Sequence, residues 1–154
     1  MLWWQALQVV ALSAAPVAEL RGGLPLALAY GATPLGAYAL AVAGNLLPVP
    51  FLLWGLDWLL CKLVRLPWPF GGLVARYVAW QARQHTRRLE RWGTLALVAL
   101  VALPLPITGA WTGCLAAVLV GVSRPRALPA IVIGVLIAGV VALLGTLGIV
   151  RWVV

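Results

Sequence analysis

Residues 94–122 read TLALVALVALPLPITGAWTGCLAAVLVGV, an apolar segment that two prolines and two glycines interrupt between positions 104 and 113. The arm before the interruption, residues 94–103, would be about 15 Å long as a helix at about 1.5 Å per residue. That length is about half of a ~30 Å hydrocarbon core. The segment is therefore either one kinked membrane span or a re-entrant hairpin that returns to the side from which it entered.

The position of the charges favours the hairpin. The polar stretch before the segment carries seven cations: Lys62, Arg65, Arg76, Arg83, Arg87, Arg88 and Arg91. Arg124 and Arg126 follow the segment directly. A single span would separate the two groups, whereas a hairpin keeps all nine on one side, which the positive-inside rule identifies as the cytoplasm.

The composition is that of an integral membrane protein. Of the 154 residues, 64% are hydrophobic and 9% are charged, against about a quarter charged in soluble domains. Apolar stretches over 2–18, 24–60, 94–122 and 127–150 approach or exceed the about 20 residues that cross a bilayer. The chain is expected to form a single membrane domain, 1–154. The net charge of +8 is explained by the basic loop, so no nucleic-acid partner is expected.

The first half repeats the plan of the second. Residues 2–18 and 24–31 are expected to be the arms of a first hairpin with ELRGGLP, residues 19–25, at its tip. Segments 35–60 and 127–150 are then full spans. The predicted fold is all-α, with two re-entrant hairpins and two transmembrane helices in inverted-topology halves. Residues 1–60 hold the first hairpin and span, 61–93 a basic cytoplasmic loop helix, and 94–154 the second hairpin and span.

An offset of 90 residues aligns the two halves without a gap. Eight identities fall between positions 14 and 47, and four of them involve residues that shape the backbone: Pro16/Pro106, Gly23/Gly113, Gly31/Gly121 and Gly44/Gly134. Inverted repeats with broken helices that meet near the midplane are an architecture of secondary transporters.

Glu19 and Arg21 are the charges at the first tip. Charges at membrane depth are kept mainly where they face protein, water or substrate. Gly22 and Gly23 would let the backbone turn and present amide groups to an anion. Arg21 adds a planar donor fork that suits phosphate, and Glu19 could carry a coupling proton because burial favours the neutral carboxyl. The alternative is a structural ion pair between the two.

Four further polar groups are candidates for substrate contact. Asn45 lies within the first span, where helix–helix hydrogen bonding is the alternative. Thr108 and Thr112 flank Trp111 at the second tip, and Gly109 permits close backbone approach there, although close packing alone explains such a glycine. Cys61, Cys114 and His85 match no metal or redox spacing, and Cys114 is expected to be a small packing residue.

Residues 71–92 have helical periodicity with a basic face, which comprises Arg76, Arg83, Arg87 and Arg91. This pattern predicts an interfacial helix whose arginines face anionic lipid. Such a helix would either anchor the topology or gather lipid phosphates.

The stretches ELRGGLPLA, GNLLPVPF and PLPITGAWTG resemble the motifs of the bacterial and archaeal small multidrug export protein family, in the same order and over nearly the whole chain. That family is thought to be distantly related to the DedA (VTT-domain) superfamily. The resemblance implies a prokaryotic inner-membrane protein with inverted hairpin repeats, and a substrate such as undecaprenyl phosphate or a phospholipid.

The sequence thus predicts a proton-coupled flippase for an anionic lipid carrier, with Arg21 as phosphate-binding group and Glu19 as proton-coupling group. An exporter of small drugs is the first alternative, and a structural membrane adaptor is the second. No arrangement typical of an enzyme, metal or cofactor site occurs in the sequence. Because two spans and two hairpins are too thin to shield the tip charges from lipid, a homodimer or larger homo-oligomer is expected.

Overall fold

The computed structural model of the chain describes residues 2–64, 72, 76, 87–103 and 109–153. All regular structure in these residues is α-helical, which confirms the predicted class. They form seven helices: α1 Trp3–Ala14, α2 Glu19–Ala29, α3 Pro34–Leu46, α4 Pro48–Val64, α5 Arg87–Ala102, α6 Ala110–Val120 and α7 Arg124–Val153.

Helices α1 and α2 form an antiparallel hairpin. The hydroxyl of Tyr30, just after α2, donates to Gln8 Oε1 at 2.7 Å. The Tyr30 ring also lies 6.4 Å from that of Trp4, near the start of α1. Gly31 then adopts a left-handed conformation at φ 78°, which glycine does without steric cost. The chain therefore reverses and enters α3, whose first turn Thr33 caps through Gly36 N at 3.2 Å.

The predicted tip of this hairpin was wrong. ELRGGLP lies inside α2, and the turn consists of residues 15–18. Gly22 and Gly23 are helical, and Gly23 lies so close to the Ser13 hydroxyl of α1 that a Cβ would overlap it. These glycines therefore serve close helix packing, and the turn does not depend on them.

The predicted span over 35–60 consists of two helices. Leu47 separates α3 from α4, and Pro48 begins α4 because proline lacks the N–H that would continue the α3 hydrogen-bond ladder. Pro34–Leu56 is nevertheless long and apolar enough to cross a membrane. The predicted second span, 127–150, lies within α7, where Arg124–Gly148 meets the same criterion.

Helices α5 and α6 form a second hairpin. A Cβ on Gly113, in the first turn of α6, would lie 2.5 Å from Val101 Cγ2 near the end of α5. At the other end of the helix pair, a Cβ on Gly93 would lie 3.5 Å from Val120 and 3.3 Å from Val122. The two helices are therefore antiparallel. Gly121, at φ 82°, ends α6 as Gly31 ends α2.

Matching contacts in the two halves support the repeat. Ser13 lies against both Gly23 and Gly44, while Val101 lies against both Gly113 and Gly134. Each half therefore holds one side chain between two glycines that are equivalent at the 90-residue offset. The repeated alanines are also equivalent in burial: Ala27, Ala37, Ala117 and Ala127 are all buried.

The predicted interfacial helix over 71–92 lies mostly outside the described residues, and so does Arg83. Arg76 is helical and exposed. Arg87 and Arg91 belong to the first turns of α5, so this part of the predicted loop helix continues into the second hairpin.

Candidate functional site

Glu19 is one of the residues through which the two halves are in contact. It begins α2 with a left-handed backbone at φ 46°, a conformation that costs a non-glycine residue about 1–3 kcal/mol. Its carboxylate accepts a hydrogen bond from the backbone N–H of Trp111. The same carboxylate lies against Gly109, where a Cβ would overlap it. The strained backbone thus directs a negative charge onto the positive end of α6.

The second hairpin presents that helix end in a fixed form. Gly109 is the N-cap residue of α6, and its N–H donates to Thr112 Oγ1 at 2.8 Å. The Thr112 hydroxyl donates back to the Gly109 carbonyl at 3.1 Å. Trp111 Nε1–H donates to the carbonyl of Ala14, the last residue of α1, at 3.0 Å. The ends of the two hairpins are therefore joined by both backbone and side-chain hydrogen bonds.

Residues at this junction lie beside their own counterparts in the repeat. Glu19 and Gly109 are 90 positions apart and in contact. Arg21 and Trp111, also 90 positions apart, line one cavity. Two pairs of residues that are equivalent at the 90-residue offset therefore lie at the same junction. The first half contributes a carboxylate and a guanidinium to this junction, and the second half contributes a helix N-terminus and an indole.

A cavity of about 460 Å³ opens beside the junction, between the first hairpin, α4 and α6. Its polar side chains come from Glu19, Arg21 and Thr112, and Trp111 also lines it. The remaining walls are formed by Pro16, Val17, Ala18, Leu52, Leu56 and Leu115. Arg21 is exposed and interacts electrostatically with Glu19. The cavity therefore combines two opposite charges with a largely apolar surface.

A second cavity, of about 20 Å³, lies on another side of Glu19. Asn45 lines it, together with its repeat counterpart Val135 and with Gly109. Asn45 is 1% exposed, and its Oδ1 has no hydrogen-bond partner among the described residues. Glu19 thus borders both a large cavity and a very small one.

The structure brings most of the predicted site residues together. Glu19, Arg21, Trp111 and Thr112 line the large cavity, and Asn45 and Gly109 line the small one. Gly22 and Gly23 line neither cavity and pack against α1 instead. Thr108 lies outside the described residues.

Sequence reasoning missed the apolar walls. Leu52 and Leu56 are four residues apart and so share one face of α4, a spacing that could have identified them. Cys114 is fully buried, and its thiol donates to the Val49 carbonyl at 3.9 Å. This position confirms the expected packing role.

The described residues define a class: a helical protein with two helices able to cross a membrane and a charged, largely apolar-walled cavity where two hairpins join. The model of the family described as "Putative small multi-drug export protein" matches residues 19–141, and the chain belongs to that family. Comparisons with curated proteins and with solved structures give no match. The family description and the two apolar helices together support a membrane protein of the transporter class.

Proposed function

We propose that the protein is a proton-coupled translocase for an anionic lipid, such as undecaprenyl phosphate or a phospholipid. One observation carries the proposal: Glu19 and Arg21 line the same 460 Å³ cavity, whose other walls are mostly apolar. Ionisable residues within a membrane domain are costly and commonly mark a substrate or proton pathway. An amphiphile with an anionic head satisfies both the guanidinium and the apolar walls.

Arg21 is the phosphate-binding group in this proposal. Its guanidinium presents donors in a planar fork that matches phosphate oxygens, which a lysine ammonium cannot reproduce. Thr112 and Trp111 border the same space and would contact the head group. A volume of about 460 Å³ holds the head and the first part of an acyl or isoprenoid chain, so the rest of the chain would lie in lipid.

Glu19 is the proton-coupling group. Its ionised carboxylate binds the N-terminus of α6, and hydrogen bonds to ionised groups are roughly twice as strong as neutral ones. Protonation would weaken the bond to Trp111 N–H and loosen the junction between the hairpins. Proton uptake would in this way release the contact between Glu19 and the N-terminus of α6.

The repeat suggests what a second state exposes. The counterparts of Leu52 and Leu56, which line the large cavity, are Ala142 and Thr146 on α7. Ala142 already lines the small cavity. If the halves exchange conformations, as in inverted-repeat transporters, the small cavity opens toward Ala142 and the large one closes. A change of substrate or pH that makes a cysteine at position 52 more reactive toward thiol reagents should then make one at position 142 less reactive. Reactivity at both positions that does not change with substrate or pH would contradict the exchange.

Topology and assembly complete the proposal. The hairpins re-enter the prokaryotic inner membrane with the basic loop in the cytoplasm, as expected for a distant relative of the DedA superfamily, and the protein has no enzymatic role. A homodimer or larger homo-oligomer is proposed because Arg21 and the cavity rim are exposed and need shielding from lipid.

Export of a small cationic or amphiphilic drug is a second candidate, which the family description favours. Glu19 would then bind the cation, and Arg21 beside it would oppose binding. The two candidates therefore predict opposite effects of removing the Arg21 charge.

Purified protein in liposomes distinguishes them. Arg21→Gln should abolish translocation of a labelled lipid phosphate, and Arg21→Lys should impair it, whereas Arg126→Gln is the matched control because exposed Arg126 lies at the start of α7. If the wild type takes up a cationic dye but translocates no lipid, and Arg21→Gln increases the dye uptake, the protein is a drug exporter. Absence of both activities would leave the structural adaptor.

A further inference from the structure

The small cavity beside Glu19 is lined by a buried polar side chain, that of Asn45, whose oxygen accepts no hydrogen bond from the described residues. Asn45 is 1% exposed, and its Oδ1 has no hydrogen-bond partner within the described part of the chain. Buried amide oxygens almost always have a partner in native proteins, and leaving one unpaired is costly. Asn45 lines the small cavity together with Glu19, so a donor in that cavity lies beside both side chains.

The size and lining of this cavity limit what that donor can be. A cavity volume of about 10–15 Å³ accommodates one water molecule. Because this cavity measures about 20 Å³, it has room for one molecule or ion of about that size. Among the described residues that line it, Asn45 and Glu19 carry side-chain acceptors, and Arg21 is the other titratable residue. The other described residues of the lining are Gly109 and apolar residues: Leu20, Val101, Leu103, Ala110, Val135, Ala138 and Ala142.

Electrostatics select a neutral donor. An anion is excluded because both side-chain oxygens, of Asn45 and Glu19, are acceptors. A cation is disfavoured because Arg21 and the N-terminus of α6 border the same space, and a helix N-terminus carries partial positive charge. Water is neutral and donates two hydrogen bonds, one to each oxygen.

We propose that the small cavity holds one ordered water molecule that donates to Asn45 Oδ1 and to the Glu19 carboxylate. Asn45 is then a positioning residue for Glu19. The functional consequence rests on the proposed proton coupling: when Glu19 takes up a proton, the water reorients and accepts from the carboxyl O–H. The protonated form of Glu19 therefore keeps a partner on the side away from the large cavity.

The repeat supplies a matched set of variants. Val135 is the counterpart of Asn45 and lines the same cavity from the other half. Asn45→Val removes the acceptor. The double variant Asn45→Val, Val135→Asn returns an amide to the cavity from the opposite wall, with the same two residue types in total.

The test is a structure of the full chain in lipid, at a resolution that shows ordered water, combined with infrared spectroscopy of the Glu19 carboxyl. The wild type should show one water within hydrogen-bond distance of Asn45 Oδ1 and a Glu19 oxygen. The C=O stretch, assigned by its loss in Glu19→Gln, should shift to higher frequency in Asn45→Val and return in the double variant. Density for the water should be absent in Asn45→Val and present again in the double variant.

Three results would overturn the proposal: no water in the wild type, a direct contact between Asn45 Nδ2 and Glu19, or an unchanged Glu19 band in Asn45→Val. If the Asn45→Val variants do not fold, the water in the wild-type structure decides. The proposed function fails separately, through normal lipid translocation by Arg21→Gln. That failure leaves the water untouched, and loss of the water leaves the role of Arg21 intact.

Discussion

Gly109→Ala should separate the two hairpins without straining the backbone at the substituted position. Gly109 has φ −176° and ψ −161°, an extended conformation that alanine adopts freely. The new Cβ would instead overlap the Glu19 carboxylate, which must leave the end of α6. A hydrogen bond to a charged group contributes about 1.5–3 kcal/mol, and a charge at a helix terminus about 0.3–1 kcal/mol.

The expected loss is at the lower end of this range, about 2 kcal/mol. Glu19 is only partly buried and can regain water in the large cavity, and relief of its left-handed backbone offsets part of the cost. Replacing glycine by alanine at an N-cap adds a smaller loss of its own, because alanine is a poor N-cap residue. A double-mutant cycle removes that second contribution.

The assay is a denaturant titration in mixed micelles, with the wild type, Gly109→Ala, Glu19→Ala and the double variant. The coupling free energy between the two positions should be about 2 kcal/mol, because Gly109→Ala has no carboxylate to displace when Glu19 is absent. Gly145→Ala is the matched control: its Cβ meets nothing within 4 Å, so a gain of about 0.5–1 kcal/mol is expected. A coupling near zero would refute the contact between Glu19 and Gly109.

Two other predictions concern packing and topology. Gly44→Ala would place a Cβ 2.6 Å from the Val10 carbonyl oxygen, and no side-chain rotation relieves a clash with the backbone. We therefore expect the free energy of unfolding in the same titration to fall by about 1–3 kcal/mol. An unchanged free energy of unfolding would show that α1 moves freely. Single cysteines introduced at positions 85 and 124 should both react only from the cytoplasmic side, because the positive-inside rule assigns the nine clustered cations to one face, and labelling of position 124 from outside would exclude the re-entrant hairpin.

The repeat was accessible from sequence because it depends on backbone-shaping residues. Gly31 and Gly121 share a left-handed conformation, and Gly44 and Gly134 both accept a neighbouring helix. Such requirements leave few alternatives to glycine, so the offset of 90 residues was visible without any structure.

The hairpin tip was not accessible in the same way. Gly22 and Gly23 are typical of a turn, yet both lie in α2. A Cβ on Gly23 would overlap the Ser13 hydroxyl of α1, and one on Gly22 would lie 2.8 Å from Ala18 Cβ and 3.3 Å from Leu12 of α1. Local sequence does not distinguish a glycine that turns the chain from one that permits close packing. The partner of Glu19 was hidden for a related reason, since Gly109 is 90 residues away and no local pattern links a carboxylate to a distant helix terminus.

Translocation of a labelled lipid phosphate by Glu19→Gln, Arg21→Gln and the double variant, measured in liposomes with and without a proton gradient, tests the central claim most directly. If Arg21 binds the phosphate and Glu19 carries the coupling proton, Arg21→Gln and the double variant are inactive. Translocation by Glu19→Gln then no longer depends on the gradient, and this variant still binds the lipid. A structural ion pair predicts a different pattern, in which each single variant leaves an unpaired charge and the double variant recovers. Restored, gradient-dependent translocation in the double variant would contradict the account.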